Sequence, residues 1–277
     1  MCPHPGLIFC TLLPLLGTSA TIPPPSFLSN STVATIVGYT SKESNAGKFI
    51  ILGAQFEEVT GGNGINGTIG GIQGVAYDED GAFTHTAPQI QIPIPGGYNI
   101  RYYLNDGWKD LGDDNWVQVP GWCDSDGLIV EDEYTPGVAV WFKSVNADAD
   151  VVVSGAVPGD DSISVECPTT FALRANAYPI AITLNGDQMS VTGITGAAYD
   201  EDGAFTQTAP QIQIPIPGGY NIRYYLNDGW KDLGDDNWVQ VPGWCDSDGL
   251  IVSDEIEPAL GFWTKGVASA FTLTFTK

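Results

Sequence analysis

The chain has 277 residues, with 33 acidic and 10 basic side chains, which gives a formal net charge of −23. This excess of carboxylates excludes a nucleic-acid-binding protein, because such proteins neutralise phosphates with Lys and Arg. The same charge is repelled by anionic membrane surfaces. With 43% hydrophobic and 11% aromatic residues, the chain is too apolar for a disordered acidic tail. Its 34 glycines and 19 prolines favour many turns and short strands over long helices.

The first 20 residues have the pattern of an export signal. Leu7 to Leu16 is apolar apart from one threonine and one proline, and small residues follow where a signal peptidase cleaves. Met1 to Gly6 departs from the pattern, because it contains no Lys or Arg. We predict a signal peptide at 1–20, a proline-rich extended leader at 21–32, and a secreted or cell-surface protein. We also predict no membrane span, since no later apolar run reaches about 18 residues.

An internal repeat dominates the rest of the chain. Tyr77 to Val130 recurs as Tyr199 to Val252, 122 positions later, and the 54 residues differ once, His85 against Gln207. The register continues without gaps into the flanks, although far fewer flanking positions match. A recent copying event explains this contrast, and so does the retention of two copies of one binding surface for avidity. We predict two related β domains, 33–155 and 162–277, joined by a linker at 156–161.

The predicted secondary structure is nearly all β. Gln89 to Ile94 alternates, with isoleucines on one face and glutamines on the other, and Pro93 marks an edge strand or the end of a ladder. No segment sustains a helical period of 3.6 residues. Short strands separated by frequent turns predict an all-β fold with two tandem β-sandwich-like (or small barrel) domains.

A second alternating strand runs from Tyr98 to Leu104. Its period of two predicts that Tyr98, Ile100, Tyr102 and Leu104 face the core, with Asn99, Arg101 and Tyr103 on the polar face. The segment Asn105-Asp106-Gly107 has turn chemistry, so we predict that the chain reverses there.

Several short motifs occur in a characteristic order: Gly107-Trp108, then Pro136-Gly137 before the strand containing Trp141, then a terminal strand ending at Ser154-Gly155. In this order the chain resembles duplicated, secreted all-β proteins of uncharacterised function from planctomycete- and verrucomicrobium-type bacteria. The resemblance implies secretion and an all-β fold, and it transfers no catalytic residue. The second copy departs from the pattern at Pro258-Ala259.

Acidic residues cluster in turns of the form Asp-x-Asp-Gly, which can offer two carboxylates and nearby carbonyls to Ca²⁺. Their spacing does not satisfy the EF-hand pattern, and Asp-Gly is also common in ordinary turns. Solvated acidic turns are therefore the alternative to calcium binding. The predicted calcium ligands are Asp78, Asp80, Asp124, Asp126, Asp200, Asp202, Asp246 and Asp248.

Aromatic residues form a second cluster, with six of them within 25 positions from Tyr98 to Trp122. Exposed aromatic faces stack on sugar rings while neighbouring Asp, Asn and Gln bind hydroxyls. The alternative is that most of these side chains fill the core of a small β domain. The predicted ligand-binding residues are Tyr103, Trp108, Trp116, Tyr225, Trp230 and Trp238.

Catalysis has little support in the sequence. His85 is the only histidine after the predicted signal, and Gln207 replaces it in the second copy, which weakens any mechanism based on histidine. Cys123 and Cys245 lie beside acids that raise a thiol pKa, so we predict small buried hydrophobes there. With Cys167 the cysteines after the signal number three, so at least one is unpaired within the chain.

We therefore predict an exported, non-catalytic binding, adhesion or surface-structural protein with two β modules. Its predicted partner is an extracellular glycan or a surface protein, with Ca²⁺ as a possible cofactor and self-association as a further possibility. The alternatives are a purely structural envelope or matrix component and a secreted glycan-cleaving enzyme, which needs two suitably spaced carboxylates.

Overall fold

The computed structural model describes residues 37–59 and 64–277. The predicted signal peptide and leader lie outside the described residues, as do positions 33–36 of the first predicted domain. The all-β prediction is confirmed, since antiparallel strands form most of the described chain. Helical structure is confined to α1 (Ile65–Thr68), α2 (Phe205–Thr208) and a 3₁₀ helix at Ala82–His85 among the described residues. None of these described helices is long enough to cross a membrane.

The strands follow the internal repeat. In the first repeat they are β1 (Val37–Ser44), β2 (Phe49–Gly53), β3 (Ile69–Gly70), β4 (Gln89–Ile94), β5 (Gly97–Asp110), β6 (Trp116–Cys123), β7 (Ala139–Lys143) and β8 (Ala149–Ala156). In the second they are β9 (Ser162–Cys167), β10 (Ala172–Ala175), β11 (Ile182–Thr183), β12 (Met189–Thr192), β13 (Gln211–Ile216), β14 (Gly219–Asp232), β15 (Trp238–Cys245), β16 (Glu255–Ile256), β17 (Gly261–Lys265) and β18 (Phe271–Thr276).

Each repeat contains a five-stranded and a three-stranded antiparallel sheet with equivalent strand orders. The five-stranded sheets are β2-β7-β4-β5-β6 and β10-β17-β13-β14-β15. The three-stranded sheets are β1-β8-β3 and β12-β18-β9, and β11 pairs with β16 in a separate ribbon.

The two sheets of each repeat share one hydrophobic core, in a sandwich-like arrangement. In the first repeat, Trp122 and Phe142 from the larger sheet pack with Val151 and Val153 from the smaller one. In the second, Trp244 and Phe262 are buried with residues of β18. Alternation of apolar residues along β8 and β18 supplies the inward face of each smaller sheet.

The described residues form one compact unit, and the two five-stranded sheets meet within it. Leu52 pairs with Leu260, and Val138 pairs with Arg174. Adding 122 to Leu52 gives Arg174, and adding 122 to Val138 gives Leu260, so the two contacts are the same contact with the repeats exchanged. The junction is therefore isologous, like the interface of a two-fold dimer.

Small residues allow the backbones to approach closely at this junction. A Cβ added to Gly53 would lie 2.5 Å from the Cβ of Ala175, and one added to Gly261 would lie 2.7 Å from the Cβ of Ala139. Gly53 and Ala175 are equivalent positions, as are Ala139 and Gly261. At each of these two places the junction holds one glycine and one alanine.

The predicted reversal at Asn105-Asp106-Gly107 is wrong. Strand β5 continues to Asp110, with a β-bulge between Leu104 and Gly107. The two bulged side chains find distant backbone partners: Asn105 Nδ2 donates to Gly74 O at 3.0 Å, and Asp106 Oδ1 accepts from Tyr77 N–H at 2.6 Å. These hydrogen bonds hold the segment as a bulge.

The predicted faces of β5 also need correction. Tyr98 and Ile100 are exposed, whereas Tyr103, predicted on the polar face, is half-buried against Trp122. Both faces of the larger sheet are partly covered, because the smaller sheet packs on one and residues 75–87 pack on the other. Pro93 was predicted to mark an edge strand or the end of a ladder, and the second alternative is confirmed. The ladder between β4 and β7 covers Gln89 to Gln91 and ends before the proline.

The gap-free register between the repeats fails at one place before the copied block. Ile65 N–H donates to Asp132 O, and Leu184 N–H donates to the equivalent Asp254 O. Ile65 and Leu184 are 119 positions apart, whereas Asp132 and Asp254 are 122 apart. The second repeat is therefore three residues shorter than the first in the segment before Leu184. It is three residues longer between Leu184 and the start of the copied block, so the offset returns to 122.

Candidate binding site at the hairpin tips

Each long hairpin of the larger sheet ends in an exposed loop, which we call the hairpin tip (Asp110–Trp116 and Asp232–Trp238). Leu111 N–H donates to Asn115 O at 2.9 Å, and Asp110 Oδ1 accepts from Gly112 N–H at 2.8 Å. Asp113 and Asp114 have φ angles of 53° and 58°, a left-handed conformation that Asp tolerates better than most residues. The second tip has the same hydrogen bonds, so both loops are held in one shape.

The tips present apolar side chains within an acidic surface. Trp116 and Trp238 are each 45% exposed, and Leu111 and Leu233 are more exposed still. The three aspartates of each tip are exposed as well. Removing exposed apolar surface from water is favourable. The leucine and tryptophan of each tip therefore provide a surface that a ligand can cover.

The register of the hairpin places two tryptophans on one face. Trp108 pairs with Gln118, and Asp110 pairs with Trp116. Directly paired residues share a face, and so do alternate residues of one strand. Trp108, Trp116, Asp110 and Gln118 therefore lie together on one face of the first hairpin, and their equivalents in the second hairpin have the same pairing.

The six predicted ligand-binding residues divide by burial. Tyr103 and Tyr225 are half-buried, with ring centroids 5.2 Å from the core rings of Trp122 and Trp244. They pack against the sandwich core and do not join the tips. Trp108 and Trp230 are half-buried at the base of each tip, whereas Trp116 and Trp238 are exposed.

The aspartates predicted to bind calcium close the loops in which they occur. Asp78 accepts from the N–H groups of Ala82 and Phe83, at 3.0 and 3.1 Å, and so satisfies the first two N–H groups of the 3₁₀ helix. Asp124 Oδ1 accepts from the N–H groups of Asp126 and Leu128. The copied residues repeat this pattern, as the hydrogen bonds of Asp200 and Asp246 show. Asp80, Asp126, Asp202 and Asp248 are exposed.

These hydrogen bonds give the loops a purely structural use for their carboxylates. Across 37–59 and 64–277, no three Asp, Glu, His or Cys side chains form a group suited to a metal ion. Calcium binding stays a prediction from the sequence.

Cys123, Cys167 and Cys245, the cysteines of the described residues, are buried free thiols, as predicted for Cys123 and Cys245. Burial is the main cause that raises the pKa of Cys123 to about 12, with Asp124 and Asp106 adding to it. Burial and Asp246 raise the pKa of Cys245 to about 12 in the same way. A thiol with so high a pKa is a poor nucleophile at neutral pH.

Basic side chains near the hairpins are held by carboxylates. Arg101 pairs with Asp132 through two hydrogen bonds, of 2.6 and 3.1 Å, and this contact raises the pKa of the guanidinium. Arg223 and Asp254 repeat the pair. Lys109 pairs with Glu131 at 3.3 Å in the first hairpin, while Ser253 stands at the position of that glutamate in the second repeat.

Sequence reasoning missed one feature of the tips and one of the junction between the repeats. Leu111 was not singled out, although an apolar residue flanked by Asp110 and Asp113 already suggested exposure. It also missed that Phe49, Trp141, Trp263 and Phe171 make successive contacts across the junction. The partners in these contacts come from both repeats, so no single stretch of sequence signals them.

No protein-family model matches the chain, and no curated protein or solved structure matches it either.

Proposed function

We propose that this protein is an exported, non-catalytic binding protein that attaches to extracellular saccharides through its two hairpin tips. One observation carries the proposal: Trp116 and Trp238 are each 45% exposed at the ends of two identical, hydrogen-bonded loops. Export rests on the signal pattern of residues 1–20.

The chemistry around the exposed tryptophan favours a sugar. An indole face stacks on the C–H face of a pyranose ring, and polar groups beside it bind the hydroxyls. Gln118 supplies an amide on the face that carries Trp108 and Trp116. Asp110 supplies a carboxylate on the same face. Its Oδ1 accepts from Gly112, and its other oxygen can accept from a hydroxyl.

The same geometry favours binding over cleavage. A glycosidase places two carboxylates across a scissile bond, within a site that excludes water. The tip carboxylates are exposed to solvent. The proposal therefore assigns the tips to attachment, and a glycan-cleaving enzyme remains the alternative from another class.

Two identical tips on one compact unit favour attachment to a repetitive surface. When one tip is bound, the second meets its ligand at a raised effective concentration, so avidity exceeds the affinity of either tip. This gain explains why two copies of one binding surface would be retained. A purely structural envelope component would not need an exposed tryptophan on each tip.

The test compares two double variants. Trp116→Ala with Trp238→Ala removes the exposed indoles, and Tyr98→Ala with Tyr220→Ala removes comparably exposed aromatics away from the tips. Wild-type protein is first screened on an array of neutral and acidic oligosaccharides, and the hits are measured by calorimetry. We expect the tryptophan variant to bind at least about tenfold more weakly, because it loses a buried stacking face worth more than about 1.4 kcal/mol. The tyrosine variant should bind like the wild type.

The single variant Trp116→Ala adds a test of avidity. It should keep near wild-type affinity for a free oligosaccharide at the second tip and lose much of its retention on a dense glycan surface. An array without hits, or a tryptophan variant that binds like the wild type, would overturn the proposal. Release of reducing ends from a bound glycan would favour the enzyme instead.

A further inference from the structure

Four aromatic rings make successive contacts across the junction of the two repeats, and we call them the aromatic stripe: Phe49, Trp141, Trp263 and Phe171. The ring centroids are 5.9 Å apart between Phe49 and Trp141, 6.0 Å between the two tryptophans, and 6.0 Å between Trp263 and Phe171. The two tryptophans are equivalent positions of the repeats, so the stripe is symmetric about the junction.

The stripe is accessible at both ends. Phe49 is 44% and Phe171 is 48% exposed, while the two tryptophans between them are half-buried. Buried Ile51 and Leu173 lie in the same cluster and pair across the strands with Trp141 and Trp263. Exposed apolar side chains that adjoin one another in this way are a common feature of interaction surfaces.

A lysine lies over each end of the stripe. Lys143 Nζ is 5.3 Å from the ring centroid of Phe49, and Lys265 Nζ is 5.1 Å from that of Phe171. Within the described part of the chain, neither lysine forms a salt bridge. The stripe is therefore an apolar surface with a positive charge at each end, on a chain with a net charge of −23.

We propose that the aromatic stripe is a docking surface for the hairpin tip of a second copy of this chain. The two surfaces are complementary in kind. The tip presents an exposed leucine and tryptophan beside three exposed aspartates, and each half of the stripe presents two aromatic rings beside a lysine. The numbers also match, since each molecule has two tips and two halves of the stripe.

Such a contact joins two different surfaces, so it is heterologous. Heterologous contacts that do not close into a ring extend into open assemblies. With two tips and two half-stripes on each molecule, the proposed contact builds chains or layers. This goes beyond saccharide attachment: the contact uses the same tips, but it adds the stripe, a separate surface at the junction of the repeats, and it requires no saccharide.

The first measurement is sedimentation velocity of the wild-type protein over a range of concentrations in 0.15 M NaCl. Under these conditions the Debye length is about 8 Å, so long-range repulsion between acidic molecules is screened while contacting charges still attract. We expect association that increases with concentration and weakens near 1 M NaCl, where the Debye length is about 3 Å. A wild-type protein that stays monomeric at high concentration would overturn the proposal.

Two variants then assign the surfaces. The stripe variant, Lys143→Gln with Lys265→Gln, removes the two positive ends. The tip variant changes the left-handed aspartates of both tips to Asn, which keeps their backbone conformation and removes four charges: Asp113→Asn, Asp114→Asn, Asp235→Asn and Asp236→Asn. Each variant alone should show a dissociation constant raised by about two- to fivefold, since each contact loses exposed charge pairing worth up to about 1 kcal/mol.

Mixing the two variants provides the decisive result. The stripe variant keeps intact tips, and the tip variant keeps intact stripes, so an equimolar mixture should associate more strongly than either variant alone. A mixture that associates no better than the separate variants would contradict a contact between tip and stripe. Such a result would point to a contact of like surfaces.

A control separates local from global charge. Ser190→Glu with Thr192→Glu changes the net charge by the same amount as the stripe variant, at exposed positions of β12. This control should associate like the wild type. The stripe variant should also bind any identified saccharide normally, so failure of the docking proposal and failure of the saccharide proposal are distinguishable.

Discussion

In the first repeat Asn66 lies in helix α1, whereas in the second Asn185 lies in a turn with a left-handed φ of 62°. Both side chains nonetheless hold the same part of the copied block. The Oδ1 of Asn66 accepts from Trp122 N–H and its Nδ2 donates to Val130 O, while Asn185 makes the equivalent bonds to Trp244 and Val252. The copied block is thus bound by an asparagine side chain in both repeats, although the backbone that carries this asparagine is helical in one repeat and a left-handed turn in the other.

The core around the copied tryptophan differs in a similar way. In the first repeat Phe142 of β7 packs edge-on against Trp122, with ring centroids 6.3 Å apart. In the second, Phe271 of β18 packs against Trp244 at 6.1 Å. The position equivalent to Phe142 is Thr264, and the position equivalent to Phe271 is Ala149. The phenyl ring that packs on the tryptophan therefore comes from the larger sheet in the first repeat and from the smaller sheet in the second.

Together these differences show that identity in the block is not forced by identical surroundings. A sandwich of this kind accepts different partners for its central tryptophan, yet the exposed tip residues are unchanged between the copies. Recent copying and retention of two binding surfaces both explain that pattern, and the tip variants described above distinguish them by function.

The largest expected effect concerns the phenyl ring. Phe142→Thr gives the first core the residue of the second and removes a fully buried ring, which should cost about 3 kcal/mol of unfolding free energy. Adding Ala149→Phe should recover part of this loss, because Phe271 at the equivalent position supplies the ring in the second repeat. Urea unfolding of the single and double variants measures both values. Additive losses would mean that the two positions do not substitute for each other.

A smaller loss is expected when either asparagine is removed. Asn66→Ala should cost about 2 kcal/mol, because it leaves a backbone N–H and a carbonyl without partners in a partly buried site. Asn185→Ala should cost about 1 kcal/mol more, since alanine must also adopt the left-handed conformation. Asn185→Gly relieves that strain and provides the control. Equal losses for Asn185→Ala and Asn185→Gly would show that backbone strain contributes little.

Titration of the buried thiols gives the smallest effect at mildly alkaline pH, and this effect grows as the pH rises and should be equal in the two repeats. The folded pKa of Cys123 and Cys245 is about 12, and an unfolded thiol titrates near 8.5. Between these values the folded state retains protons that the unfolded state has lost, so stability is complete below pH 8.5 and falls as the pH rises toward 12. Urea midpoints from pH 8 to 11 measure the fall, and Cys123→Ala with Cys245→Ala should make it shallower. An unchanged slope would assign the fall to other groups, such as the buried tyrosines.

The sequence predicts much of the fold because alternation is a local signal. The strands at Gln89–Ile94 and Phe271–Thr276 occur where period two indicates them. The Pro136-Gly137 turn also forms, with Gly137 at φ 91°, and the second copy keeps its left-handed backbone with Ala259 at φ 55°. Proline and the packed strands beside it hold the turn even without glycine.

The features that sequence reasoning missed depend on distant partners. The bulge at Asn105 and Asp106 is fixed by hydrogen bonds to residues 31 and 29 positions away. The burial of Tyr103 depends on a second sheet that only the folded chain brings over it. At the candidate site, Trp116 was predicted from composition and loop position, but its place beside Trp108 required the pairing register.

The glycine and alanine that face each other at the junction make the two repeats complementary and not interchangeable. A dimer of two first repeats would place Ala139 against Ala139, where the structure leaves space for one Cβ. A dimer of two second repeats would place Ala175 against Ala175 in the same way. Each repeat therefore fits the other repeat better than it fits a copy of itself, which favours pairing of unlike halves and disfavours pairing of two like halves from separate molecules.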